Sequence, residues 1–146
     1  MFVDDELLFS DVQSLIHATG SVFSTNAIDL GVLRDVGKGR PMYVVVVVDT
    51  AIDSTSDGAT LAIQLIEEDT VETDGTITLA TDSPVLLSTE VFLEAVLTKG
   101  RTPIIIPIPP GIALRYIGLG YVIDGEAITA GEVTAFVALE AQTNIQ

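Results

Sequence analysis

The chain has 146 residues, no cysteine, one histidine and 21 acids against 6 cations, for a formal net charge of −15. Its length fits one domain with room for a core that needs no covalent staple. The missing cysteines exclude disulfides, zinc-thiolate sites and thiol nucleophiles, and the acidic balance works against binding nucleic acid or an anionic membrane.

The chain opens on an apolar-acidic leader, MFVDDELLFSDVQSLI. Asp4, Asp5 and Glu6 stand where a secretory signal needs cations, so production in a cytoplasm is expected. Between Asp5 and Ile16 the apolar residues Leu7, Leu8, Val12, Leu15 and Ile16 fit one amphipathic helix or an extended arm. The alternative is that the leader packs on its own domain, as termini often do. The first division is therefore an N-terminal arm over residues 1–23 and a β-domain over 24–146. Thr25 to Leu30 reads as a strand. A compact basic loop follows, with Arg34, Lys38 and Arg40, half of the chain's cations. It runs straight into Met42-Tyr-Val-Val-Val-Val-Val48, a β-branched run that suits a central strand buried on both faces. The loop is therefore expected at an edge or end of the domain.

Leu61, Ile63 and Leu65 alternate with Ala62, Gln64 and Ile66 as a strand. Glu67, Glu68, Asp69, Glu72 and Asp74 read, with Asp49, Asp53 and Asp57, as a solvated acidic face. Ile77 and Leu79 alternate with Thr76 and Thr78, and Pro84 to Leu87 is another short run. Thr89 to Leu97 fits a helical turn capped by Ser88 or Thr89. Pro103 to Ile123 is apolar and about as long as a membrane span. Pro103, Pro107, Pro109, Pro110 and Arg115 break it as a spanning helix, so it reads as two buried strands joined by a Pro-Pro-Gly turn. In the second, Arg115, Ile117, Leu119, Tyr121 and Ile123 share one face. Gly118 and Gly120 lie on the other, where a neighbour should pack closely or the strand should bend. Val133, Ala135, Val137 and Leu139 alternate in the last strand. Turn signals stand at Asp57-Gly58, Asp74-Gly75, Pro110-Gly111, Asp124-Gly125 and Ala130-Gly131. The long stretches Thr50 to Ala59 and Ser88 to Thr102 call for Greek-key crossings. The fold class is all-β, a jelly-roll-like β-sandwich of about eight strands with an N-terminal arm.

The motifs for chemistry fail on composition or spacing. His17 has no nucleophile context around it, and a general base needs a positioned partner. Asp53-Ser-Thr-Ser-Asp57-Gly58 resembles the start of a calcium loop, but Gln64 stands where the bidentate Glu belongs and strands flank it. Gly31 to Gly39 is one residue too long for a phosphate loop, and Gly39 replaces its Ser or Thr. Gly118-Leu-Gly120 lies within a strand and lacks the third glycine of a dinucleotide fingerprint. Arg34, Lys38 and Arg40 are few against the acids and have no interleaved aromatics, so an acidic protein surface suits them better than nucleic acid. No catalytic, cofactor or metal site is expected, and the chain is read as no enzyme.

Four segments carry a resemblance. They are Leu7-Leu-Phe-Ser-Asp-Val-Gln13; Ser24-Thr-Asn-Ala-Ile-Asp-Leu-Gly31 with Arg34-Asp-Val-Gly-Lys-Gly39; Tyr43 to Asp49; and Arg115-Tyr-Ile117 through Ile123, with Thr129-Ala-Gly131. In this order they resemble the cement (decoration) proteins of short-tailed bacteriophage capsids, of the Bordetella phage type. The acidic turn from Glu67 to Asp74 departs from that pattern. The resemblance implies a jelly roll on the outer surface of the virion that associates with itself, as homodimer or homotrimer. Such a protein clamps adjacent major capsid protein subunits against DNA pressure and does no chemistry. Interfaces favour aromatic and arginine anchors, which makes Phe2, Leu7, Leu8, Phe9, Phe23, Arg34, Lys38 and Arg40 the candidate contact residues. Neither cofactor, nucleic acid nor membrane enters this reading. A carbohydrate- or receptor-binding jelly roll is the alternative, disfavoured by the absence of Trp and the presence of only 3 Tyr. A cupin-like enzyme would need a histidine cluster.

Overall fold

The computed structural model describes residues 4–32, 35–36, 38–69, 71–74 and 77–139. Its strands are β1 (Leu8–Ser14), β2 (Gly20–Phe23), β3 (Ile28–Asp29), β4 (Tyr43–Ser54), β5 (Thr60–Glu68), β6 (Val85–Ser88), β7 (Phe92–Leu93), β8 (Ile104–Pro107), β9 (Tyr116–Asp124) and β10 (Ile128–Ala138). Two short 3-10 turns, Asp5–Leu7 and Glu94–Val96, complete the elements. One sheet has the order β1-β10-β4-β8, and the other β2-β9-β5-β6, with β3 also on β9 and β7 also on β5. Pairing is antiparallel throughout. Because β2 and β3 run along one partner, and β6 and β7 along another, the sheets contain eight strand positions. Numbered in chain order their orders are 1-8-3-6 and 2-7-4-5, the double Greek key of a jelly roll.

The central valine run behaves as its composition dictates. Val44 and Val45 are 0% exposed, Val46 1% and Val48 3%, so both faces of β4 are covered. Val44, Val46, Val48 and Ile52 face Leu61, Ile63, Leu65, Leu119, Tyr121 and Ile123 across the sandwich in one apolar cluster. Each such aliphatic side chain contributes about 1.5–3 kcal/mol by leaving water. Pro103 to Ile123 resolves into β8 and β9 as expected. The two lie in different sheets, so their link crosses the end of the sandwich. The prolines suit β8, which is an edge strand.

The glycines of β9 also lie where close approach was expected. A Cβ on Gly118 would come within 2.5 Å of Leu79, and one on Gly120 within 3.6 Å of Phe23. Leu79 therefore covers the outer face of the six-stranded sheet. Residues 77–79 form no strand there; Ile77 makes one isolated bridge to Val71. Ala130-Gly131 is likewise no turn. It lies inside β10, where the register with β4 shifts.

The leader is corrected most. Residues 8–14 are a strand of the four-stranded sheet paired with β10, and residues 20–23 pair with β9. The boundary between arm and domain at residue 23 does not appear, and Asp5 to Ile16 is not a helix. Register shifts in β1 break its period-two pattern. Where it bulges, the Val12 N–H donates to Thr134 Oγ1 at 3.0 Å. Polar side chains then stitch β1 across both sheets. The Ser10 hydroxyl donates to Gln13 Oε1 at 2.6 Å and lies 2.8 Å from the buried Tyr121 hydroxyl. Gln13 Nε2 donates to the Phe23 carbonyl at 2.7 Å.

This network makes an alkaline prediction. Burial pushes the Tyr121 hydroxyl well above its ordinary value, opposed by the bond to Ser10. A raised folded-state value means that the neutral form stabilises the fold. That contribution is complete below the unfolded tyrosine value near 10 and is lost as pH rises beyond it, by up to about 1.4 kcal/mol per pH unit. Tyr121→Phe should flatten this alkaline fall in unfolding free energy. An unchanged slope above pH 10 would show that the hydroxyl is not held in the core.

Candidate partner interface

Two carboxylates order the end of the sandwich that carries the basic loop. Asp35 accepts from the Gly111 N–H at 2.7 Å and from the Ile112 N–H at 3.4 Å. Glu67 Oε2 accepts from the Ala113 and Leu114 N–H groups at 2.8 and 3.0 Å. Four successive amides of the link between β8 and β9 thus point at side-chain carboxylates, which supply the acceptors that an irregular backbone lacks. Glu67 is buried, so it leaves the solvated acidic face to which the sequence had assigned it. At the other flank of the loop, the Ile108 N–H donates to the Met42 carbonyl at 2.9 Å. The described residues of the loop are therefore held at the end of the sandwich, as its position before β4 implied, with Lys38 and Arg40 exposed.

Next to it, Arg115 grips Asp29 through two bonds, Nε to Oδ1 at 2.7 Å and Nη2 to Oδ2 at 2.8 Å. The guanidinium, and then the Gly31 N–H, hold the Asp29 carboxyl below the usual carboxylate range. Ser24 Oγ accepts from the Leu119 N–H at 3.0 Å and donates to the Asn26 carbonyl at 2.8 Å. Ser24 and Asp29 of the second resemblance segment thus fix β3 and the corner before it against β9. In the first segment, Ser10 and Gln13 stitch the sheets. Much of that pattern is structural.

The candidate contact residues divide accordingly. Phe2 and Arg34 lie outside the described residues. Leu7 is exposed in the first 3-10 turn, and Leu8 is half-buried. Phe9 is 0% exposed and belongs to the core, so it is removed from the contact set. Phe23 packs over Gly120 on the outer face of the six-stranded sheet, apart from the others. Leu8 and Val45 both pair with Phe136, from opposite sides. The starts of β1 and β4 are thus two strand spacings apart, about 10 Å. Leu7, Lys38 and Arg40 consequently share one end of the four-stranded sheet.

At the opposite end, Asp53, Asp57 and Glu94 bring carboxylate oxygens within 4.8 Å of one another. The buried member, Glu94, already accepts from Ser54 Oγ at 2.5 Å and from the Ala59 N–H at 3.3 Å. Hydrogen bonding within the fold accounts for its burial. Glu126 Oε2 accepts from the Ser56 and Gly58 N–H groups at 3.0 and 3.3 Å. The Ser56 amide, then the Ser54 hydroxyl, lower the Glu126 carboxyl from its ordinary value. These acids brace the turn that the sequence likened to a calcium loop. His17 exchanges backbone bonds with Ile128, and its Nδ1 lies 2.8 Å from the Ala18 carbonyl. The sequence reading missed the exposure of Val91, Leu93 and Val96, in and beside β7.

A family model for Bbp16 matches residues 9–137. The chain therefore belongs to the Bbp16 family. A comparison with curated proteins finds no significant match. The match spans all four resemblance segments apart from Leu7 and Leu8, and is consistent with a protein of Bordetella phage type. Among the described residues, no helix is long and apolar enough to cross a membrane.

Proposed function

We propose that this protein is a capsid cement protein, a jelly roll that attaches to the outer surface of a bacteriophage shell and stabilises contacts between major capsid protein subunits. The observation that carries the reading is the end of the sandwich where Leu7, Lys38 and Arg40 gather on a chain of net charge −15. Asp35 and Glu67 fix the backbone beside them, so the exposed cations are presented from an ordered base. Membership of the Bbp16 family supports the phage context. In this reading the partner is a carboxylate-bearing surface of the shell subunit, the protein does no chemistry, and it associates with itself as a dimer or trimer on the particle. It is made in the host cytoplasm and functions in the virion.

Reversing Arg34, Lys38 and Arg40 to Glu tests the attachment. Truncating one partner of a desolvated interfacial charge pair costs about 2–5 kcal/mol. The triple reversal should therefore release the protein from shells in a co-sedimentation assay at physiological salt. Exposed substitutions usually cost under about 0.5 kcal/mol each, so the free protein should melt within a few degrees of wild type. Wild-type occupancy by the triple variant would move the contact surface elsewhere.

A further inference from the structure

β8 ends the four-stranded sheet. It pairs with β4 on one side, and among the described residues no strand pairs with it on the other. An open edge of this kind is a template for another chain, because it presents a row of unpaired backbone groups. The other edges are interrupted. β1 and β6 pair with register shifts, and Gln13 takes the Phe23 carbonyl at the end of β2. β8 instead keeps an unbroken register with β4. It carries three successive isoleucines and no charge. Leu87 and Phe92 line a groove along it. An uncharged, β-branched edge beside apolar cover is suited to pairing with a copy of itself.

The register shows which backbone groups face the open side. The Ile108 N–H donates to the Met42 carbonyl at 2.9 Å. The pairs Tyr43–Pro107, Val44–Ile106, Val45–Ile105 and Val46–Ile104 continue from it. Hydrogen-bonded and non-hydrogen-bonded pairs alternate along an antiparallel ladder. Ile106 and Ile104 therefore turn their N–H and carbonyl groups to β4, as Ile108 turns its N–H to Met42. Ile105 and Pro107 turn theirs to the open side, and Pro103 continues that alternation just before the strand. A proline has no N–H to give. Ile105 is thus left as the one donor on the open side of residues 103–107. With the opposite parity, Pro107 would instead have cost a bond to β4.

We propose that Pro103 and Pro107 guard β8 against pairing with a second copy of this chain, so that copies associate, where they do, through other surfaces. Two copies of β8 meeting antiparallel about Ile105 would set Ile105 opposite Ile105 and Pro103 opposite Pro107. The isoleucine pair can exchange hydrogen bonds. The proline pairs on either side of it can exchange none, because neither member has a donor, and their carbonyls face one another unpaired. The guard stands apart from the cement reading, since it concerns the free protein and its test needs no shell.

The test compares the full chain with the double variant Pro103→Thr with Pro107→Thr in sedimentation velocity over a concentration series. Threonine restores both donors and suits a strand. Each restored pair of bonds should tighten self-association by roughly tenfold or more. The double variant should therefore associate well below any concentration at which wild type does. The amide of residue 105 should gain hydrogen-exchange protection as concentration rises, because its acceptor lies on the partner copy. Adding Ile105→Lys sets like charges opposite one another on the two-fold axis and should return the variant to wild-type behaviour. If the double variant melts far below wild type, the single substitutions replace it, since each restores one donor per copy. A folded variant that associates no more tightly than wild type overturns the guard, and shows that the prolines only stiffen the chain. Added association that survives Ile105→Lys, or that leaves the residue 105 amide unprotected, overturns it as well. Neither result touches the cement reading, which is tested by attachment of the wild-type chain to shells.

Discussion

Phe9→Ala is expected to destabilise the sandwich by about 3–5 kcal/mol, the usual cost of emptying a fully packed aromatic site. Phe9 is 0% exposed in β1 and belongs to the core cluster. Its carbonyl also accepts from the Asn26 N–H at 2.9 Å, so the residue joins β1 to the corner before β3. Leu7→Ala, two residues away and exposed, should cost under about 0.5 kcal/mol. Denaturant unfolding of the two variants separates a structural strand from a free arm. Equal stability of Phe9→Ala and wild type, with loss of shell attachment, would restore the arm. A truncation that probes attachment must spare Leu8 and Phe9, because both belong to β1 and Phe9 to the core. Such a truncation should end at residue 7.

Glu67→Ala should cost about 2–4 kcal/mol, because two amide donors lose a charged acceptor in a partly buried site. Glu67→Gln keeps an acceptor oxygen and should lose less. The damage should be local first: the amides of Ala113 and Leu114 should lose hydrogen-exchange protection before the core strands do. The basic pole shares this support, since Asp35 holds the two preceding amides. On the cement reading, Glu67→Ala should therefore also weaken shell attachment, although Glu67 lies outside the contact set. If the amides of residues 113 and 114 stay protected in the variant, the carboxylate does not organise that end.

The central strands were legible because their signal is local. A run of five valines cannot face water on either side, and the alternation of β9 set apolar residues against two glycines that needed close neighbours. The topology class followed from the long crossings between short strands. β1 was obscured because its bulges break the period of two, leaving spacings that imitate a helix. Glu67 was obscured by its acidic neighbours, yet the alternation of Leu61, Ile63 and Leu65 places residue 67 on the same inward face. Gly131 imitated a turn because a glycine at a bulge and a glycine at a hairpin look alike in sequence. The polar pairs Asp29–Arg115 and Ser10–Tyr121 join residues far apart in the chain, and no local pattern encodes such partners. The exposure of Val91, Leu93 and Val96 is equally non-local, since an aliphatic residue shows its environment only once the sheets are assembled.

The central claim is a place on a particle, and a low-resolution reconstruction of the source phage tests it most directly. The cement reading predicts density for a 15.4 kDa sandwich on the outer surface of the shell, straddling the boundary between neighbouring subunits. That density should disappear from particles made without this chain. A shell whose outer surface is the same with and without the chain would contradict it.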